Sequence, residues 1–303
     1  MTSTDHSSPV IPGTAKGYAA IIVAVVIWSG WIVATRDQVH VATPLDLSLI
    51  RYGLPALLLA PVWLRRGIVP KGEDWRLIAI MAAGWGGVFV WLTAKGLETV
   101  PASLFGPLVP ATLPLFVSVW ERFHDGLRLS QARIVGLILI GLSISLIVGP
   151  AAAEADLSLL SGVPYLMCAA LGWAAFTLAF RRSTLTGIEA TAYVALWSTP
   201  FLLIAVAIKG THLPSLSWGV LGWLALSQAF LSGLGAAVCF AYAVRHLGAA
   251  RTSSFTSLVP MGAAIGGWLA LGEAMTPLSW AAVVLACFGV AVVNGALGGL
   301  LRR

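Results

Sequence analysis

The stretch Gly17–Arg36, GYAAIIVAVVIWSGWIVATR, carries no charge before its terminal arginine. At 1.5 Å of rise per residue a helix of this length covers about 30 Å, the thickness of a bilayer's hydrocarbon core. The run is continuously apolar and does not alternate as a barrel strand does. It therefore reads as a helix, which satisfies its own backbone groups in lipid. A second stretch, Gly162–Arg181, GVPYLMCAALGWAAFTLAFR, matches it at a constant offset, with Trp28 falling on Trp173 and Arg36 on Arg181. One stretch predicts a transmembrane helix; the pair predicts a chain built twice from one unit.

The remaining sequence extends both readings. Of 303 residues, 58% are hydrophobic and 10% charged, against about 25% charged in soluble domains. Apolar runs bounded by charges, glycine or proline predict spans at 17–36, 46–64, 75–94, 101–120, 131–149, 161–180, 188–208, 218–243, 250–271 and 277–298. The connections between them leave no room for a soluble domain. Further matches support the duplication: Trp75 falls on Trp218, Asp46 on Glu189, Gly67 on Gly210, and Leu108-Val109-Pro110 on Leu258-Val259-Pro260. Glu121 and Glu273 each precede the fifth helix of a copy and are expected to hold its start by accepting from its exposed amides. Five is odd, so the second copy must cross the membrane in the opposite sense, a plan common among secondary transporters. The expected fold is an all-α integral membrane protein of ten transmembrane helices, formed as two inverted five-helix repeats. Residues 1–16 are expected as a cytoplasmic tail, 17–150 as the first repeat and 158–300 as the second.

The net charge of +6 raises nucleic acid as a partner, but the charges sit in short loops, with no basic face and no RNA-type aromatic motif. Membrane topology accounts for them better. Lys16, Arg65, Arg66, Lys71, Arg76, Arg122, Arg128, Arg133, Arg181, Arg182, Arg245, Arg251, Arg302 and Arg303 fall on one side; Arg36, Lys95 and Lys209 fall on the other. The first side, with both termini, is then cytoplasmic, and the chain is expected as a multi-pass protein of a bacterial inner (plasma) membrane. Cys168, Cys239 and Cys287 lie in apolar runs without paired spacing and read as buried small hydrophobes. The five histidines are scattered near loops and the tail, so no metal and no cofactor is expected.

The pattern Val244-Arg245-His246-Leu247-Gly248-Ala249-Ala250-Arg251-Thr252-Ser253, then Leu258-Val259-Pro260, then Leu271-Gly272-Glu273-Ala274-Met275-Thr276-Pro277, resembles the EamA-type unit of the drug/metabolite transporter superfamily. Ala94-Lys95-Gly96 through Pro110 and Trp120-Glu121 looks like the same unit, with a departure at Phe123–Leu129, where the connection is longer. The resemblance covers roughly residues 17–298. It implies ten helices with cytoplasmic termini, a central cavity lined by helices 1, 3, 4, 6, 8 and 9, and metabolite export. The similarity is closest to bacterial aromatic and hydrophobic amino-acid exporters.

Candidate solute-binding residues follow from depth and chemistry. Pro107, Pro110 and Pro114 interrupt the fourth span and Pro260 the ninth. A proline frees backbone carbonyls, and matched interruptions in two halves mark transporter sites; for Pro107 and Pro114 a packing kink is an equally good reading. Trp28, Trp31, Trp85, Trp91, Phe105, Trp173, Phe176, Tyr242 and Phe255 are candidates for cavity walls. Trp63, Trp75, Trp120, Trp218 and Trp223 sit at span ends, as interfacial tryptophans do. Of the polar residues at depth, Ser103, Ser253 and Ser257 can bond their own helical turn, whereas Gln228 calls for a partner on another helix. Arg51 lies inside the second span near its outer end and reads as a snorkelling structural residue paired with Asp46 or Glu98. With carboxylates confined to the span ends, the expected solute is neutral or zwitterionic with an apolar part. The alternatives are a multidrug or other-metabolite exporter and, in other classes, a channel or an intramembrane enzyme. No His-Glu-x-x-His, Gly-x-Ser-x-Gly or P-loop pattern supports the last. A small molecule and the bilayer are the partners expected, nucleic acid is not, and the oligomeric state is left open.

Overall fold

The structure, a computed structural model, describes residues 12–295, the side chains of 12–14, 249, 250 and 253 excepted. Every regular element among them is helical: α1 Pro12–Gln38, α2 Pro44–Leu58, α3 Ala60–Arg66, α4 Trp75–Trp85, α5 Gly87–Leu97, α6 Ala102–Leu108, α7 Leu113–Phe123, α8 Gln131–Ala153, α9 Leu157–Arg182 and α10 Gly187–Lys209. There follow α11 Trp218–Leu224, a π-helical segment Ala225–Gly235, α12 Ala236–Leu247, α13 Ala249–Phe255, a single 3₁₀ turn, α14 Val259–Leu271 and α15 Pro277–Val293. Among the described residues seven helical stretches are long and apolar enough to cross a membrane; α2 and α3 form an eighth bent by 59°; Thr256–Leu271 and Pro277–Val293 are shorter apolar helices.

Local chemistry explains the boundaries. Thr43 and Asp46 form a capping box at the start of α2, and Thr186 with Glu189 forms one at α10, each satisfying amides that a helix start leaves open. Ser130, Asp156 and Thr276 cap α8, α9 and α15 by single side-chain bonds. The span expected at 46–64 is bent at Leu59, just before Pro61 in the first turn of α3. That expected at 101–120 is interrupted between Leu108 and Leu113, around Pro110. The span expected at 250–271 is broken into α13, the 3₁₀ turn and α14, with Pro260 in the first turn of α14. Prolines thus set the interruptions, as their missing N–H requires.

Packing depends on glycine. Apolar burial does little to hold helices together in hydrocarbon, so association relies on close approach at small residues. A Cβ placed on Gly136 of α8 would lie 2.8 Å from the Gly289 carbonyl oxygen of α15, and one on Gly289 would lie 2.9 Å from that of Gly136. Gly84 of α4 and Gly172 of α9 meet as closely, at 2.3 Å and 2.7 Å in the two directions. Cys168 does not match its expected burial: it is exposed on the outer surface of α9.

Candidate functional site

Trp31, Thr35 and Gln38 recur along one face of α1 at helical spacing, and all three are buried. That face meets the π-helical segment, where wider i→i+5 turns present Ser227, Gln228 and Ser232 inward; such segments recur at functional sites. Gln228 is completely buried and its amide is fully engaged. Its Oε1 accepts from Trp31 Nε1 at 2.6 Å, and its Nε2 donates to Thr35 Oγ1 at 3.0 Å and to Gln38 Oε1 at 2.8 Å. Gln38 Nε2 in turn donates to Ser227 Oγ at 2.7 Å. The interhelical partner that the sequence required for Gln228 is therefore α1.

Arg51 departs from expectation. It is 4% exposed and turns inward from α2: its Nη1 donates to the Gln228 carbonyl at 3.3 Å and to Ser232 Oγ, and its Cζ lies 4.5 Å from the centroid of the Trp31 ring. Neither expected partner is involved. Asp46 is held by Thr43, Thr211 and the His212 amide, and Glu98 pairs with Lys95 at 2.5 Å. Among the described residues no carboxylate pairs with Arg51, and its buried Nε has no hydrogen-bond partner. An arginine at the centre of a membrane helix costs about 2.5–3.5 kcal/mol on insertion scales. A desolvated cation–π contact of about 2 kcal/mol offsets part of that.

Aromatic rings continue the site. Trp85 stacks on Phe89 with centroids 4.2 Å apart and lies 4.4 Å from Trp173 and 5.7 Å from Phe176; Trp31 lies 6.3 Å from both Phe89 and Phe105. The Gly84–Gly172 crossing sits one residue before Trp85 and Trp173, so the backbone contact brings these indoles together. Gly86 ends α4 and leaves the Trp85 carbonyl free to accept from the Tyr52 hydroxyl. Beside these groups is a small, partly open cavity of about 90 Å³ lined by Trp28, Arg51, Tyr52, Pro55, Trp85, Phe176, Thr191, Val194, Ser232, Gly233 and Ala237. Ligand sites usually offer several hundred Å³, and this cavity is well below that size.

Of the residues singled out by sequence, Trp28, Trp85 and Phe176 line the cavity, while Trp31, Phe105, Trp173 and Gln228 belong to the ring cluster and hydrogen-bond network behind it. Others do neither. Trp91 packs on Tyr165 at 6.0 Å and faces a groove of about 780 Å³ between α4, α5 and α10, whose apolar walls include the exposed Trp75 and Phe201. Tyr242 is 38% exposed and stacks on His246, and Phe255 packs against Tyr18. Pro110 and Pro260 line neither space; Pro260 packs on Gly106 of α6. Ser257 bonds its own turn through the Ser254 carbonyl. The Ser253 side chain lies outside the described residues. Arg51, Tyr52, Phe89 and Ser232 had not been selected. Ser103 brings its amide, not its buried unpartnered hydroxyl, to Glu273.

Glu121 and Glu273 were expected to hold the start of the helix that follows each. Glu273 reaches elsewhere, and Glu121 reaches the first turn of α8 through the Arg133 side chain instead of a backbone amide. Glu273 accepts from the Ala102 and Ser103 amides at 2.7 and 2.8 Å, capping α6, and lies 3.7 Å from Arg36. Glu121 pairs with Arg133 at 2.5 Å and Arg181 at 2.8 Å. The two arginines aligned by the internal repeat thus pair with the two aligned glutamates, each across the halves.

The sequence matches the EamA-like transporter family twice, over residues 15–149 and 160–295. It is 27% identical over 290 residues to the uncharacterized inner membrane transporter YedA of Escherichia coli (strain K12), covering 91% of this chain and 90% of that protein. It is 25% identical over 282 residues to the uncharacterized transporter YoaV of Bacillus subtilis (strain 168), covering 91% and 95%. Similarity to a probable terminal-alkyne amino-acid exporter of Streptantibioticus cattleyicolor is 26% over 291 residues, covering 92% and 94%. A solved crystal structure superposes on 96% of this chain and 99% of its own with a TM-score of 0.63 at 16% identity, a likeness of fold. The first matched unit supplies Trp28, Arg51, Tyr52 and Trp85 to the cavity and the second supplies Phe176, Thr191 and Ser232, and with both units present the chain belongs to the EamA-like transporter family.

Proposed function

We propose that the protein is a secondary transporter exporting small zwitterionic or neutral metabolites with an apolar body, aromatic and hydrophobic amino acids foremost, by alternating access. The observation carrying this reading is the small cavity between the two family units, walled by Trp28, Trp85 and Phe176 beside the buried Arg51. Seven long spans, the bent pair and the two shorter apolar helices would together make ten, and on this reading they form two inverted repeats, proposed over 17–150 and 158–300. The name of the Streptantibioticus relative, an amino-acid exporter, agrees with the substrate class. Arg51 disfavours lipophilic cations, which a buried positive charge repels, so a multidrug exporter of that type fits less well.

On this topology Arg36–Glu273 lies at the outer end of the cavity and Glu121–Arg181 at the inner end. Parting one pair while the other holds opens the cavity to one side, and the repeat makes the two moves equivalent. No carboxylate lines the cavity, so facilitated diffusion or exchange is the expected mode.

Cells overproducing the protein are expected to resist toxic analogues of aromatic amino acids better than controls. Trp31→Ala, Trp85→Ala and Trp173→Ala should each reduce that protection severalfold at equal protein level. Unchanged protection in all three variants would refute the aromatic-cavity reading. For orientation, the asymmetry of basic residues puts both termini in the cytoplasm of an inner-membrane protein. Single cysteines at Ser158 and Thr211 should react with an impermeant thiol reagent in intact cells, and those at Ser130 and Ser183 only after permeabilisation; the opposite pattern rejects the assignment.

A further inference from the structure

We propose that Arg51 anchors the carboxylate of the solute, so that the protein selects organic monocarboxylates with an apolar body, whether or not they carry an amino group. The inference rests on the cavity being the transport site; it drops neutral solutes that lack a carboxylate and extends the substrate class to anionic acids.

The guanidinium is placed for this task. Nη1 donates to Ser232 Oγ and the Gln228 carbonyl and the Tyr52 hydroxyl also lies against the guanidinium, while Nε is buried and unpartnered. A guanidinium edge with Nε–H free matches the two oxygens of a carboxylate, the bidentate geometry in which arginine surpasses lysine. Among the described residues no carboxylate neutralises the charge, so an acidic solute supplies the counter-ion that the fold omits. Trp31 holds the guanidinium over its ring, with Cζ 4.5 Å from the centroid. The other end of a solute meets different chemistry. Trp28, Trp85 and Phe176 wall the same cavity and suit an apolar body. The lining holds no aspartate or glutamate to receive an ammonium group, so the positive end of an amino acid adds little to recognition.

Binding to the purified full-length protein, measured by calorimetry with L-phenylalanine, 3-phenylpropionate, hexanoate and phenethylamine, tests this. The acids should bind, and phenethylamine should bind at least tenfold more weakly than 3-phenylpropionate. Arg51→Gln should weaken the acids at least tenfold and leave phenethylamine unchanged, with Arg51→Lys intermediate. Equal binding of phenethylamine and 3-phenylpropionate by the unaltered protein overturns the proposal. So does binding of none of the acids, or a folded Arg51→Gln protein that keeps 3-phenylpropionate within twofold. If Arg51→Gln yields no folded protein, the comparison of acid with amine on the unaltered protein decides. Binding of hexanoate but of neither aromatic acid would retain the anchor and reject the aromatic substrate; equal binding of phenylalanine and phenethylamine would do the reverse.

Discussion

A Gly84→Val protein is expected to give less than a tenth of the folded material obtained from the unaltered chain. The Cβ alone would lie 2.3 Å from the Gly172 carbonyl oxygen and 3.1 Å from the Phe176 amide nitrogen. Both obstructions are backbone atoms on α9, so no rotamer change relieves the clash, and α4 must lift away from α9 along the line that joins Trp85 to Trp173. Overpacking typically costs about 1–3 kcal/mol and at times more; loss of the adjoining ring contacts adds to it. The control is Gly141→Val on α8, where an added Cβ meets nothing within 4 Å and yield should be nearly normal. Monodisperse protein recovered on size-exclusion in detergent measures the difference. Equal recovery of the two variants would show that the glycine crossing does not hold the helices together.

Gln228→Leu is expected to lower transport at least tenfold and to destabilise the protein by about 1–4 kcal/mol. Removing the amide leaves Trp31 Nε1 and Gln38 Oε1 buried without their partner, and an orphaned buried group costs about 1–3 kcal/mol in soluble proteins. Interhelical hydrogen bonds in membranes are worth less, about 0.6 kcal/mol on average, which sets the lower end. The decisive measurement is a cycle with Trp31→Phe, which removes the indole N–H. Groups sharing one network do not add, so the double variant should lose less than the sum of the single losses. Additive losses in denaturant unfolding would mean that Trp31 and Gln228 act independently.

Depth was legible in the sequence; direction around the helix axis was not. Apolar length reports on hydrocarbon thickness directly, which is why the spans fall near their expected places and why Gln228, buried by residue count, was correctly given a partner on another helix. Arg51 shows the gap. Its distance from the start of α2 suggested escape to the interface, but its side chain points toward Ser232 and Trp31, and hydropathy carries no azimuth. The same blindness placed Trp91 and Tyr242 among the cavity residues, whereas the structure has Trp91 on Tyr165 and Tyr242 on His246. The weak amphipathicity of a helix surrounded by lipid on one side and apolar neighbours on the other gives no period from which to recover the inward face. Phe89 was passed over because a phenylalanine in a membrane helix is unremarked until its neighbours, here Trp85 and Trp31, are known.

Glu273 caps the opening turn of α6 from 171 residues downstream. At a synthesis rate of about 5–20 residues per second, roughly 10–35 s separate emergence of the Ala102 and Ser103 amides from arrival of the carboxylate that receives them. During that interval the fourth span of the nascent chain begins with open donors, which water at the membrane surface or the translocation machinery has to satisfy. Completion of the first unit is therefore timed by synthesis of the second.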